Sequence, residues 1–239
     1  SYFNSWNCNN VGPRLDLIAP DNACATGAAA MTTGAVGLLA SAGEQTGTPL
    51  SAGEIRQLLT ATADDVWLTE DERILAKAYP SREGFDTSTG YGRVNVGAGV
   101  EAVFAGQIPP VAQLWGPRWF DTVTPSVDPR VEVSGQVSAV RSSGYDWILE
   151  YGVGHEPDAW VSFASGQDTA ARDGVLGTLD VSGLELPTVA GPSLRETVME
   201  RMERVYQPAV TVRLTVTDRE GLEGVSRATF FVHDDPDRV

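Results

Sequence analysis

The chain has 239 residues, 42% apolar and 21% charged, with a formal net charge of −15. That length holds one large domain or two modest ones with a real core. Residues 1–107 carry 6 basic and 12 acidic side chains and the remainder 11 and 20, so both halves repel phosphate and nucleic acid is disfavoured as a partner. No run approaches the roughly 18 consecutive apolar residues of a membrane span.

Taken in chain order, the first feature is a pair of cysteines, Cys8 and Cys24, with no others elsewhere. They are either two free thiols or one disulfide, and a disulfide would point to an oxidising compartment. The chain opens in mid-pattern on SYFNSWN, with neither a signal peptide nor an initiator Met, which reads as a piece of something longer.

RLDLIAP (14–20) reads as a short strand ended by proline, with Leu15 and Leu17 on one face and Ile18 on the other. A small-residue helix follows over about 28–41. Its apolar positions run all round, the pattern of a helix buried on every side. SAGE (51–54) has the spacing of a capping box. Ile55, Leu58, Leu59 and Thr62 then fall on one face of the helix it starts. After a polar stretch over 63–88, GYGRVNVGAGVEAVFAG (90–106) reads as a turn, an extended piece and a last helix. Strands alternating with helices argue for part of an α/β domain with a parallel sheet.

IPPVAQLWGP (108–117) reads as a linker, because a Pro-Pro pair favours extended chain. Beyond it, RVEVSGQVSAV, YDWILEY, AVTVRLTV and the end of TDREGLEGVSRATFFV alternate apolar and polar residues with period two. That is the mark of antiparallel sheets packed face to face. Residues 193–207 interrupt the pattern with helical character. Trp115, Trp119 and Phe120 are expected to pack the junction between the halves rather than form an exposed patch.

The first half resembles the subtilisin-like serine protease family in four motifs that occur in the family's order. FNSWNCNNVGPRLDLIAP is similar to the strand and turn ending in a DVxAPG-type sequence. The run from Thr26 through GAVGLL stands where the family has GTSMAxPHVAGAAALL. The helix ending LLTATADDV is similar to VRxxLxxTA, and GYGRVNVGAGVEA to the closing GxGxVNAxxAV. The resemblance implies that 1–107 is the C-terminal portion of a subtilisin-like peptidase domain of a secreted protein, extracellular or periplasmic. It also implies that the N-terminal part of that domain is missing, and that the partner is a protein or peptide substrate or ligand. The second half, 108–239, resembles the immunoglobulin-like or fibronectin-type β-sandwiches appended to secreted bacterial enzymes. The expected fold class is therefore a partial α/β parallel-sheet domain plus an all-β sandwich.

Counted back from Gly34, the family's nucleophilic Ser falls on Thr26. Its preceding Gly-Thr becomes Cys24-Ala25, its following Met becomes Gly27, and its Pro-His pair becomes Ala30-Met31. A hydroxyl nucleophile needs a base within hydrogen-bond reach and a carboxylate to orient that base. Only His155 and His233 exist, both in the second half, and by family order the Asp, His and oxyanion Asn would precede residue 1. Thr26 accordingly reads as a helix N-cap at a former nucleophile position, and the chain alone is expected to be inactive. HEPD (155–158) lacks metal-ligand spacing. HDDPD (233–237) lacks the glycine-punctuated pattern of a calcium loop. No cofactor or metal is expected.

Overall fold

The computed structural model describes residues 10–20, 26–72, 80–187 and 208–233. Cys8, Cys24, the stretch 193–207 and residues 234–237 lie outside the described residues.

The helices come first in the chain: α1 (Thr26–Gln45), α2 (Ala52–Ala61) and α3 (Val96–Phe104). The capping box of α2 forms as its spacing demands. The Ser51 hydroxyl accepts from the Glu54 N–H, and the Glu54 carboxylate accepts from the Ser51 N–H at 2.8 Å. α3 is capped by Asn95, whose Oδ1 accepts from the Ala98 N–H at 3.0 Å. Leu39, Leu58, Ile55, Leu59, Val103 and Ile108 form the core shared by these helices. Gly99 of α3 lets Leu39 approach closely enough that an added methyl group there would crowd it.

α1 departs from the expected burial. Its buried residues are Ala35, Leu39, Ala42 and Gly43, while Met31 is 51% exposed, Leu38 55% and Val36 36%. The all-round apolar pattern is real, but among the described residues only one side of the helix is covered.

The segment around Ile18 is extended rather than a full strand. Ile18 makes a parallel bridge to Arg93, with its N–H donating to Gly92 O at 3.0 Å and its carbonyl accepting from the Val94 N–H at 2.9 Å. Asp64 bridges Arg93 from the other side, antiparallel. Gly90 and Gly92 hold positive φ of 67° and 120°, where a β-carbon would strike the carbonyls of Asp16 and Asp64. The GYG sequence therefore permits this three-way approach of backbones.

The remainder is mostly β. The strands are β1 (Val111–Gly116), β2 (Thr122–Val123), β3 (Arg130–Ser138), β4 (Tyr145–Val153), β5 (Val161–Asp168), β6 (Arg172–Asp180), β7 (Ala209–Asp218) and β8 (Glu223–Val232). They form a three-stranded sheet β1-β3-β6 and a five-stranded sheet β2-β8-β7-β4-β5. All pairings are antiparallel except the short one between β2 and β8. Val131, Val133, Val137 and Leu176 of the smaller sheet meet Trp147, Leu149, Val212, Leu214 and Phe230 of the larger in one core. The stretch read as a linker contributes β1, because Val111 and Ala112 bury directly after the Pro-Pro pair and Ala112 joins that core.

Candidate functional site

Thr26 is the first residue of α1 and is exposed. No hydrogen bond to its hydroxyl occurs among the described residues, and neither histidine is brought to it. His155 lies against Trp119 and Phe231, with ring centroids 5.7 and 6.3 Å away. His233 follows β8, its N–H donating to Val123 O at 3.1 Å. Among the described residues no group of three or more His, Cys, Asp or Glu side chains is placed to hold a metal.

The surroundings of α1 are more informative than Thr26. Alternate residues of the Ile18 segment bond toward 91–94, since Tyr91 N–H also donates to Asp16 O at 2.8 Å. The N–H and C=O of Leu17 point the other way and find no partner among the described residues. Beside this free edge runs a groove of about 440 Å³, lined by Leu17, Thr32, Val36, Ile55 and Leu59. Arg56 of α2 locks the segment in place, with Nη2 2.6 Å and Nε 3.1 Å from the two carboxylate oxygens of Asp16.

The aromatics expected at the junction behave otherwise. Trp115 is 45% exposed and Phe120 63% exposed. Trp119 and Phe120 join Phe231 at the β2–β8 end of the larger sheet. Phe120 is also the one non-glycine among the described residues with a positive φ, 75°. A turn sets this geometry: the Asp121 carboxylate accepts from the Arg118 N–H and Asp121 N–H donates to Arg118 O.

What joins helices to sheets is a set of polar side chains that sequence reasoning missed. Gln57 of α2, 2% exposed, donates Nε2–H to Ala112 O at 2.7 Å and to Val225 O at 3.2 Å, and accepts from the Val225 N–H at 2.9 Å. It thus satisfies backbone groups of both β1 and β8. Glu54 accepts from Arg141 Nε at 2.6 Å as well as serving the capping box. Burial pushes its carboxyl upward, but the Arg141 and Ser51 bonds outweigh that and hold it below its ordinary value. Arg82 pairs with Asp158 at 2.7 Å.

Arg227 of β8 is the exception. It lies between Phe85 (4.2 Å) and Trp160 (5.0 Å), with its Nε and Nη1 buried and without a hydrogen-bond partner. Burial lowers its pKa, and the like charges of Arg213 and Arg82 add to the effect. Its cross-strand neighbour Arg213 stacks on the same Trp160 ring at 4.2 Å and is bonded to Glu150 at 2.7 Å. The sequence shows two arginines on facing strands but not which ring covers them, because Phe85 and Trp160 come from distant loops.

Comparison with protein-family models and with curated proteins finds no match for the chain.

Proposed function

We propose that the chain is part of a secreted, subtilisin-like peptidase-family protein. In this reading residues 1–107 are the C-terminal portion of the peptidase layer and 108–239 an immunoglobulin-like β-sandwich. The observation that carries it is the surface around α1: an extended segment parallel to 91–94, a free backbone edge at Leu17, and an apolar helix headed by Thr26 with Met31 and Leu38 uncovered. In this reading the isolated Ile18–Arg93 bridge is the edge of a parallel sheet whose next strand is supplied by further polypeptide. A further strand would pair with Leu17 and fill the groove against Val36 and Leu59, burying apolar surface at about 25 cal/mol per Å².

The family's reaction is peptide-bond hydrolysis through an acyl-enzyme. Among the described residues no base stands beside the Thr26 hydroxyl, and in this reading the chain by itself does not hydrolyse peptides. A second reading, a pseudoprotease scaffold that binds a protein or glycan, is favoured by the same lack of a base beside Thr26 among the described residues.

Fluorophosphonate labelling of the protein as isolated from its own cells, beside a Thr26→Ser variant, separates the readings. Labelling at residue 26 in the wild type means a working threonine nucleophile. Labelling only of the variant means an intact base with a lost nucleophile. Labelling of neither, with both folded, supports the scaffold and removes the peptidase activity from the account.

A further inference from the structure

The segment 12–18 supplies Asp16 and Leu17 to the groove beside α1, and residues tied to the β portion hold it from two sides. The first tie runs through α2. Arg56 binds both carboxylate oxygens of Asp16 and reaches Val225 O of β8 with Nη1 at 3.4 Å. Its neighbour Gln57 bonds Ala112 of β1 and Val225 of β8. The helix also sits directly on β1, since a β-carbon added to Gly53 would come within 2.9 Å of Val111 Cγ1. It is therefore seated on two strands where it grips Asp16.

The second tie runs through the loop 82–91. Asp86, with no exposure, fixes this loop from inside. Its carboxylate accepts from the N–H groups of Arg82, Ser88 and Thr89 and from the Thr89 hydroxyl. The connection between β4 and β5 grips the loop from outside. Glu156 Oε1 accepts from the Thr87 N–H at 2.5 Å, and Arg82 pairs with Asp158 at 2.7 Å and with Glu156 at 3.8 Å. On its other side the loop holds the segment, because Gly12 N–H donates to Thr87 O at 2.7 Å and Tyr91 N–H to Asp16 O at 2.8 Å. Thr87 thus carries a carboxylate of the β portion on its N–H and the segment on its carbonyl.

A loosely tethered module could not hold the segment in this way. Ile108, Pro109 and Pro110 are buried, and a β-carbon on Gly224 would lie 2.0 Å from Pro110 O. The stretch read as a linker is a fixed part of the seam. A groove wall ordered in advance costs a docking polypeptide less entropy than one it must order itself. We infer that the β portion is a brace that positions the 12–18 segment, with Arg56 and Glu156 as positioning residues. The inference goes beyond the peptidase reading and does not depend on how the helical half is assigned.

The test is amide hydrogen exchange of the full chain, followed residue by residue by NMR, in Glu156→Ala and in Arg56→Met. The amides of Gly12, Ile18, Tyr91 and Val94 report on the segment, and those of Leu149, Val212 and Leu214 on the sandwich core. Each variant should speed exchange of the segment amides roughly tenfold while the core amides change less than about twofold. None of the segment reporters is bonded to Glu156, so a role confined to its own loop would leave them unmoved. Glu156→Ala, at a partly exposed loop position, carries the test alone if Arg56→Met fails to fold. Segment exchange unchanged in the folded variants overturns the inference. A uniform rise that includes the core overturns it equally, because it reports general destabilisation and not release of the segment.

Discussion

Gln57 and Arg227 show how two polar residues at one seam act in opposite directions. Gln57 bonds three backbone groups of β1 and β8, of which Val225 O also accepts from Arg56 Nη1 at 3.4 Å. Gln57→Leu keeps the size but removes the partner of Ala112 O and of the Val225 N–H, so it should cost about 2–3 kcal/mol, read as a lower urea midpoint. Arg227 has two buried N–H groups without partners. Arg227→Met removes an uncompensated buried charge while keeping a flexible apolar chain between Phe85 and Trp160, and should leave stability unchanged or raise it by about 1 kcal/mol. A large loss for Arg227→Met would mean that its stacking on the two rings outweighs its desolvation. Tyr145 adds a pH dependence. Its hydroxyl donates to Ala170 O at 2.7 Å, and burial, with Asp168 nearby, pushes its pKa up to about 12. The folded state therefore holds this proton more tightly than the unfolded chain, whose tyrosines titrate near 10. Its stabilisation is complete below about pH 10 and is lost as pH rises toward 12. Urea midpoints across that range should fall for the wild type and fall less for Tyr145→Phe.

At the scale of elements, α1 divides cleanly into two faces. Leu39→Ala empties a position with no exposure and should cost about 2–5 kcal/mol. Leu38→Glu, one residue along and 55% exposed, should cost less than about 0.5 kcal/mol and reduce binding of an apolar dye. Equal losses at both positions would show that the Leu38 face is covered within the chain. What was legible in the sequence at this scale was whatever is local. The Ser51–Glu54 box is set by neighbours three residues apart, and β3, β4, β7 and β8 announce themselves by alternation, since each buries one face in the shared core. β5 and β6 were not legible, because VSFASGQD and RDGVLGTLD mix small and polar residues on both faces, and β5 lies at a sheet edge. β1 was masked by the prolines before it. Nor could the sequence reveal Gln57, whose partners Ala112 and Val225 lie 55 and 168 residues away and are brought to it only by packing of the helix on the strands.

At the scale of the whole molecule, the helical and β portions differ in how much apolar surface they enclose. The β portion encloses a core between two sheets, with Val133, Val137, Leu149, Val212, Leu214 and Phe230 fully sealed. The helical portion has a smaller core, an extended segment whose Leu17 backbone is unpaired among the described residues, and exposed apolar side chains on α1. The polar seam of Gln57, Glu54 with Arg141, and Arg82 with Asp158 fastens the second to the first. In the proposed reading the β portion is a base on which an unfinished layer is held in shape. In the proposed reading further polypeptide finishes that layer, and Met31, 51% exposed in the first half of α1, reports on it directly. The measurement is its oxidation rate by dilute peroxide, compared between the isolated 239-residue chain and the protein as isolated from its own cells. Rapid oxidation in the isolated chain and strong protection in the native protein are the expected result. Equal rapid oxidation in both would contradict the claim, because the α1 face would then be an outer surface of the finished molecule.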